Sequence, residues 1–169
     1  MTLRTQALLV ALAVGSIATP LSSVVSARDT HSAMSDAGPR TVVGVWRTVV
    51  TPRNCQTGAP FPSLHGVFTF NEGGTMSEYG IGPGSSPALR SPGHGVWRRE
   101  PGWQDHSFTF MFYRYDGTGA LLGSQKITAV LRLDESGSRI DTISTIAMLD
   151  IDGNVIGGGC ATAVGTPFE

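Results

Sequence analysis

From residue 41 onward the chain is a succession of eight short runs of β-branched and aromatic residues, each cut off by glycine, asparagine or aspartate. That rhythm constrains the fold more than any other feature, because runs this short cannot bury a helical face but pair readily as strands. They cover residues 41–51, 65–71, 75–81, 93–99, 106–115, 122–133, 138–149 and 154–164. The breaks are tight-turn sequences: Asn71-Glu72-Gly73-Gly74, Asp116-Gly117-Thr118-Gly119, Asp134-Glu135-Ser136-Gly137 and Asp150-Ile151-Asp152-Gly153. Each supplies a local side-chain acceptor and a residue free to take positive φ.

Alternation gives these runs two faces. Phe108, Phe110 and Phe112 share one side of the fifth run, with Thr109, Met111 and Tyr113 on the other. In the sixth, Ile127, Ala129, Leu131 and Leu133 oppose Lys126, Thr128, Val130 and Arg132. A period of two with one apolar side predicts antiparallel strands over a core. Eight successive strands with short turns form a meander, and rolling it shut removes both unpaired edges. The fold class read from the sequence is therefore all-β, a single eight-stranded up-and-down antiparallel barrel over residues 41–169. A two-sheet sandwich is the competing architecture.

The two cysteines bear on closure. Cys55 follows the first run and Cys160 lies in the last. A disulfide requires Cα atoms within roughly 7 Å, which a flat sheet denies to its first and last strands. The N-terminus supplies the oxidising compartment that such a bond needs. Arg4 precedes the apolar stretch Ala7 to Val14, Gly15, Ser16 and Pro20 interrupt it, and Val25-Ser26-Ala27 has the small residues of a cleavage site. Residues 1–27 thus read as a signal peptide, residues 28–40 as a flexible leader, and the protein as secreted or periplasmic, with no membrane association after cleavage.

Charged residues make up 15% of the chain, below the typical ~25%, and 22 glycines are roughly twice the usual share. The formal net charge of −1 becomes about −2 once Arg4 is removed, which offers nucleic acid no electrostatic footing.

Gly44-Val45-Trp46-Arg47 resembles the Gly-x-Trp motif that opens the first strand of lipocalins and other calycins. His65-Gly66-Val67-Phe68-Thr69-Phe70 and Gly73-Gly74-Thr75-Met76-Ser77 look like the next two strands of bacterial secreted lipocalin-like domains. The resemblance implies a barrel that holds a small ligand. Its last strand departs from the lipocalin pattern: Cys160-Ala161-Thr162-Ala163-Val164 stands where lipocalins carry an arginine. The extra glycines of haem-binding nitrobindin-type barrels are missing after Trp46, and no cofactor is expected.

Gly95-Val96-Trp97-Arg98 repeats the tetrapeptide, and both tryptophans suit the plugging of a barrel end. Candidate ligand contacts are Trp46, Phe68, Tyr79, His94, Trp97 and Tyr113, and the expected partner is a small apolar molecule. Small residues in the last run, Gly157 to Gly159, Ala161 and Ala163, leave room for it if they face inward. A cofactor-independent isomerase or cyclase, of the allene oxide cyclase type, is the catalytic alternative. It needs an inward polar group, with His94, Glu78 or Arg98 the candidates, although Glu78 by default faces solvent. A third possibility is an interaction module with a filled interior. His65 and His106 lack metal-ligand spacing, and Asp150-Ile151-Asp152-Gly153-Asn154 fits a hairpin turn better than a calcium loop.

Overall fold

The computed structural model describes residues 40–168, so the proposed signal peptide and nearly all of the leader lie outside the described residues. Eight strands form one closed barrel in which each pairs antiparallel with the next and the last returns to the first. They are β1 (Gly44–Arg53), β2 (Leu64–Phe70), β3 (Thr75–Ile81), β4 (Gly93–Arg99), β5 (Asp105–Tyr115), β6 (Leu121–Leu133), β7 (Ile140–Leu149) and β8 (Val155–Pro167). The meander expected from the turn spacing is present, and the sandwich alternative is not what forms.

Closure runs along most of β1. Its register with β8 extends from Trp46 opposite Pro167 to Arg53 opposite Cys160. Cys160 of that last pair is joined to Cys55, two residues beyond Arg53, as a disulfide with Cα atoms 5.3 Å apart. The seam between the chain's first and last strands is thus held by both a hydrogen-bond ladder and a covalent bond.

Strand limits differ from the sequence reading where a local interaction competes with pairing. The first strand starts at Gly44 rather than residue 41, because Val42 is sealed in the core and its carbonyl accepts the Trp46 indole N–H at 2.8 Å. The seventh starts at Ile140, since Asp134 Oδ1 accepts from the amides of Ser138 and Arg139 and draws them into the turn. The eighth continues to Pro167, following β1 to the end of its register. The Asp150 turn is a hairpin turn: its carboxylate accepts the amides of Asp152 and Asn154.

Inward positions separate into two tiers. One end of the barrel is closed by Val42, Trp46, Phe70, Leu133 and Ile140, all buried, with Trp97 packed edge-on to Phe70 at 6.0 Å between ring centroids. Above this floor sit Phe68, Phe108 and Phe110, with ring centroids 5.7–6.1 Å apart. Such aromatic pairs add about 0.5–1.5 kcal/mol each to the burial of their surface.

The two Gly-Val-Trp-Arg copies have different physical roles. Gly44 adopts φ +134°, closed to most side chains. At Gly95 the φ is ordinary but a Cβ would lie 2.0 Å from the Thr109 carbonyl oxygen and 2.5 Å from the Phe110 Cα. The first glycine permits a backbone turn, and the second permits β4 to lie close against β5.

Candidate functional site

The alternation that packs the floor leaves the opposite half of the barrel unfilled. A cavity of about 420 Å³ opens there, within the usual range for a small-molecule site. Phe68, Phe108 and Phe110 form its base, with Ile127 on one wall and Ala161 and Ala163 on the other. The two alanines are buried and inward-facing, so the space comes from methyl groups standing where larger side chains would meet across the lumen. Leu89 and Leu122 stand at the mouth and are partly open to solvent.

A polar cluster interrupts this apolar lining. The β3–β4 ladder ends at the pair Glu78–Gly93, after which the connecting loop, with a 3₁₀ turn at Pro87–Leu89, diverges from β3. Arg90, on the return of that loop, fills the gap. Its Nη1 donates to the Gly80 carbonyl at 3.0 Å and to Glu78 Oε1 at 3.3 Å, and its Nη2 donates to Glu78 Oε2. Its Cζ lies 3.6 Å from the centre of the Phe112 ring, a cation–π stack. The side chains of Glu78 and Arg90 retain 4% and 16% of their exposure, so this is an interior ion pair.

Glycine makes room for that pair. A Cβ at Gly93 would lie 2.8 Å from Glu78 Oε2 and 2.8 Å from the Phe110 ring. Burial pushes the Glu78 carboxyl above the usual carboxylate range, while the Arg90 charge and hydrogen bonds pull it back without overcoming the effect.

A second guanidinium reaches the lumen from β5. Arg114 continues the inward series Phe108, Phe110 and Phe112, lines the cavity, and donates from Nη2 to the Leu149 carbonyl at 3.4 Å. Its buried Nε has no hydrogen-bond partner among the described residues. Gln125 faces the same cavity from β6.

Of the six ligand contacts expected from the sequence, only Phe68 lines this cavity. Trp46 lies in the floor, and Trp97 is held at that end by donation from its indole to the Asn71 carbonyl at 2.9 Å. Tyr79, His94 and Tyr113 are on the outer face, because their neighbours Glu78, Gly93 and Phe112 occupy the inward positions. The position expected for a solvent-facing Glu78 is corrected: it is 5% exposed and part of the lumen wall. Arg98 and His94 are in solvent. His106 is buried near the floor, 5.7 Å from the Trp97 ring, and desolvation is the main reason that its pKa is lowered.

The sequence reading missed Arg90 and Arg114. Arg114 shares the parity of three inward phenylalanines and was legible on that ground. Arg90 sits in a loop without periodicity, and no sequence pattern points to it. No protein-family model matches this sequence, and a search of curated proteins finds no match.

Proposed function

We propose that the barrel binds one small, largely apolar molecule in its lumen, and that it does so outside the cytoplasm. The observation that carries this reading is the 420 Å³ cavity, closed at one end by packed aromatics and open at the other between exposed leucines. A barrel that served only as a packing module would fill that space, since interiors otherwise reach close-packed density. The closed eight-stranded meander with Trp46 plugging its floor supports a lipocalin-type assignment. The Cys55–Cys160 disulfide supports export, because such bonds persist in oxidising compartments.

Catalysis is the weaker reading. Of the three polar candidates for it only Glu78 reaches the lumen, and both its oxygens already accept hydrogen bonds from Arg90. A carboxylate held that way is poorly placed to take a proton from a substrate.

The test uses a neutral apolar reporter, N-phenyl-1-naphthylamine. The purified protein is expected to raise its fluorescence saturably at one equivalent. The variant Ala161→Phe, which places a ring in the lumen, is expected to abolish the response while circular dichroism stays unchanged. Absence of any uptake by the wild type refutes the binding role. Uptake unaffected by Ala161→Phe refutes the lumen as its site.

A further inference from the structure

The lumen is not electrically neutral. Among the described residues lining it, two guanidiniums, Arg90 and Arg114, face one carboxyl, Glu78. If Glu78 is ionised, Arg90 neutralises it and the charge on Arg114 is left over. If Glu78 is protonated, both arginines are left over. The lining is positive in either state.

The two arginines are also differently equipped. Arg90 has the Glu78 carboxylate, the Gly80 and Ser91 carbonyls, and the face of Phe112. Arg114 has one long hydrogen bond to the Leu149 carbonyl, and its Nε points to no acceptor among the described residues. Arg114 is half-buried, but its Nε is a buried donor without an acceptor beside an apolar cavity, which costs free energy that an anion on the guanidinium would offset. The planar fork of arginine suits a carboxylate, which can accept two N–H donors at once.

Resting on the binding role above, we propose that the occupant is an apolar acid whose carboxylate is held by Arg114 near the mouth, with its apolar body against Phe68, Phe108, Phe110 and Ile127. The placement follows from β5 itself. Arg114 lies on the mouth side of Phe112, and the phenylalanines descend from there to the base. The acid therefore enters tail first. Its size is set by the cavity: at ~30 Å³ per group, the share of a water molecule in the liquid, 420 Å³ holds on the order of 14 heavy atoms. A twelve-carbon monocarboxylate has that many.

The experiment compares two probes that differ only at the head, dodecanoate and dodecanol, each displacing N-phenyl-1-naphthylamine, the first below its micellar concentration and the second below its solubility limit. Wild-type protein is expected to bind dodecanoate roughly ten-fold more tightly, the equivalent of about 1.4 kcal/mol. Arg114→Gln is expected to bring the two within about two-fold of each other by removing the charge-assisted hydrogen bonds, the readout being the ratio of the two affinities within the variant. Arg114→Lys, which keeps the charge, is expected to keep part of the preference.

Equal affinity of the wild type for the two probes, with the reporter still bound, overturns the acid assignment and leaves the lumen as a site for neutral molecules. A preference that survives in Arg114→Gln overturns the role of Arg114. If Arg114→Gln fails to fold, the wild-type head-group preference and its partial retention in Arg114→Lys decide the matter. Binding of neither probe nor reporter by the wild type overturns the binding role and this inference together.

Discussion

Separating Glu78 from Arg90 gives the most direct measure of how dry the lumen wall is. The pair joins the end of the β3–β4 ladder to the loop that follows it, and the two side chains keep only 4% and 16% of their exposure. Removing one partner of an interior ion pair leaves the other charged and desolvated, typically at 3–5 kcal/mol. The lower end applies here, since Arg90 sits towards the open mouth and retains stacking on Phe112. Glu78→Leu and Arg90→Met are each expected to lower the unfolding free energy by about 3 kcal/mol, roughly 10 °C in Tm for a domain of this size. The double variant replaces two charges by two apolar groups of similar bulk and leaves neither partner charged and alone, so it is expected to lie within about 1 kcal/mol of the wild type rather than about 6 below it. Urea unfolding at neutral pH with the disulfide intact, followed by tryptophan fluorescence and circular dichroism, supplies all corners of the cycle. Single variants within 0.5 kcal/mol of the wild type would mean, on the scale of exposed pairs, that the site is wet, and the desolvation argument for Glu78 would fail. Losses that simply add in the double variant would show that the two side chains stabilise the barrel independently.

Three further outcomes test other parts of the structure. Cys160→Ser opens a loop closed across 105 positions, and chain entropy sets the loss at about 4–5 kcal/mol, an upper figure readable by denaturant titration. Gly95→Ala drives a Cβ into the Thr109 carbonyl and the Phe110 backbone, so it is expected to cost at least 1–3 kcal/mol, whereas Gly157→Ala, whose Cβ would meet only the Met148 methyl at 3.9 Å, is expected to cost far less. His106 titrates lower in the folded protein than its ordinary value of 6.5, so the unfolded chain binds protons first and stability falls as pH drops below 6.5. Glu78 acts in the opposite sense, since its raised pKa makes the folded state the better proton acceptor as pH falls towards the folded value. Tm measured from pH 8 to 5 is expected to fall less in His106→Gln than in the wild type, and equal slopes would remove His106 as the cause.

The sequence by itself determined the barrel. Strand number and antiparallel order follow from local rules, because side-chain parity and turn chemistry act over a few residues and repeat eight times, and the pairing of Cys55 with Cys160 follows from there being two cysteines, at the first and last strands. The inward faces of β5 and β6 were legible for the same reason, down to Phe108, Phe110, Phe112 and Ile127. What the tertiary structure decided was the polar content of the lumen. Glu78 faces the interior on the parity of Met76 and Gly80, and the partner that makes its burial tolerable is Arg90, twelve positions away in an aperiodic loop, arriving where the β3–β4 ladder stops. Tyr79, His94 and Tyr113, chosen for their chemistry, fell on the outer face because parity with a neighbour outranks polarity. A closed barrel brings side chains together across its interior, and those cross-lumen meetings have no sequence period to announce them.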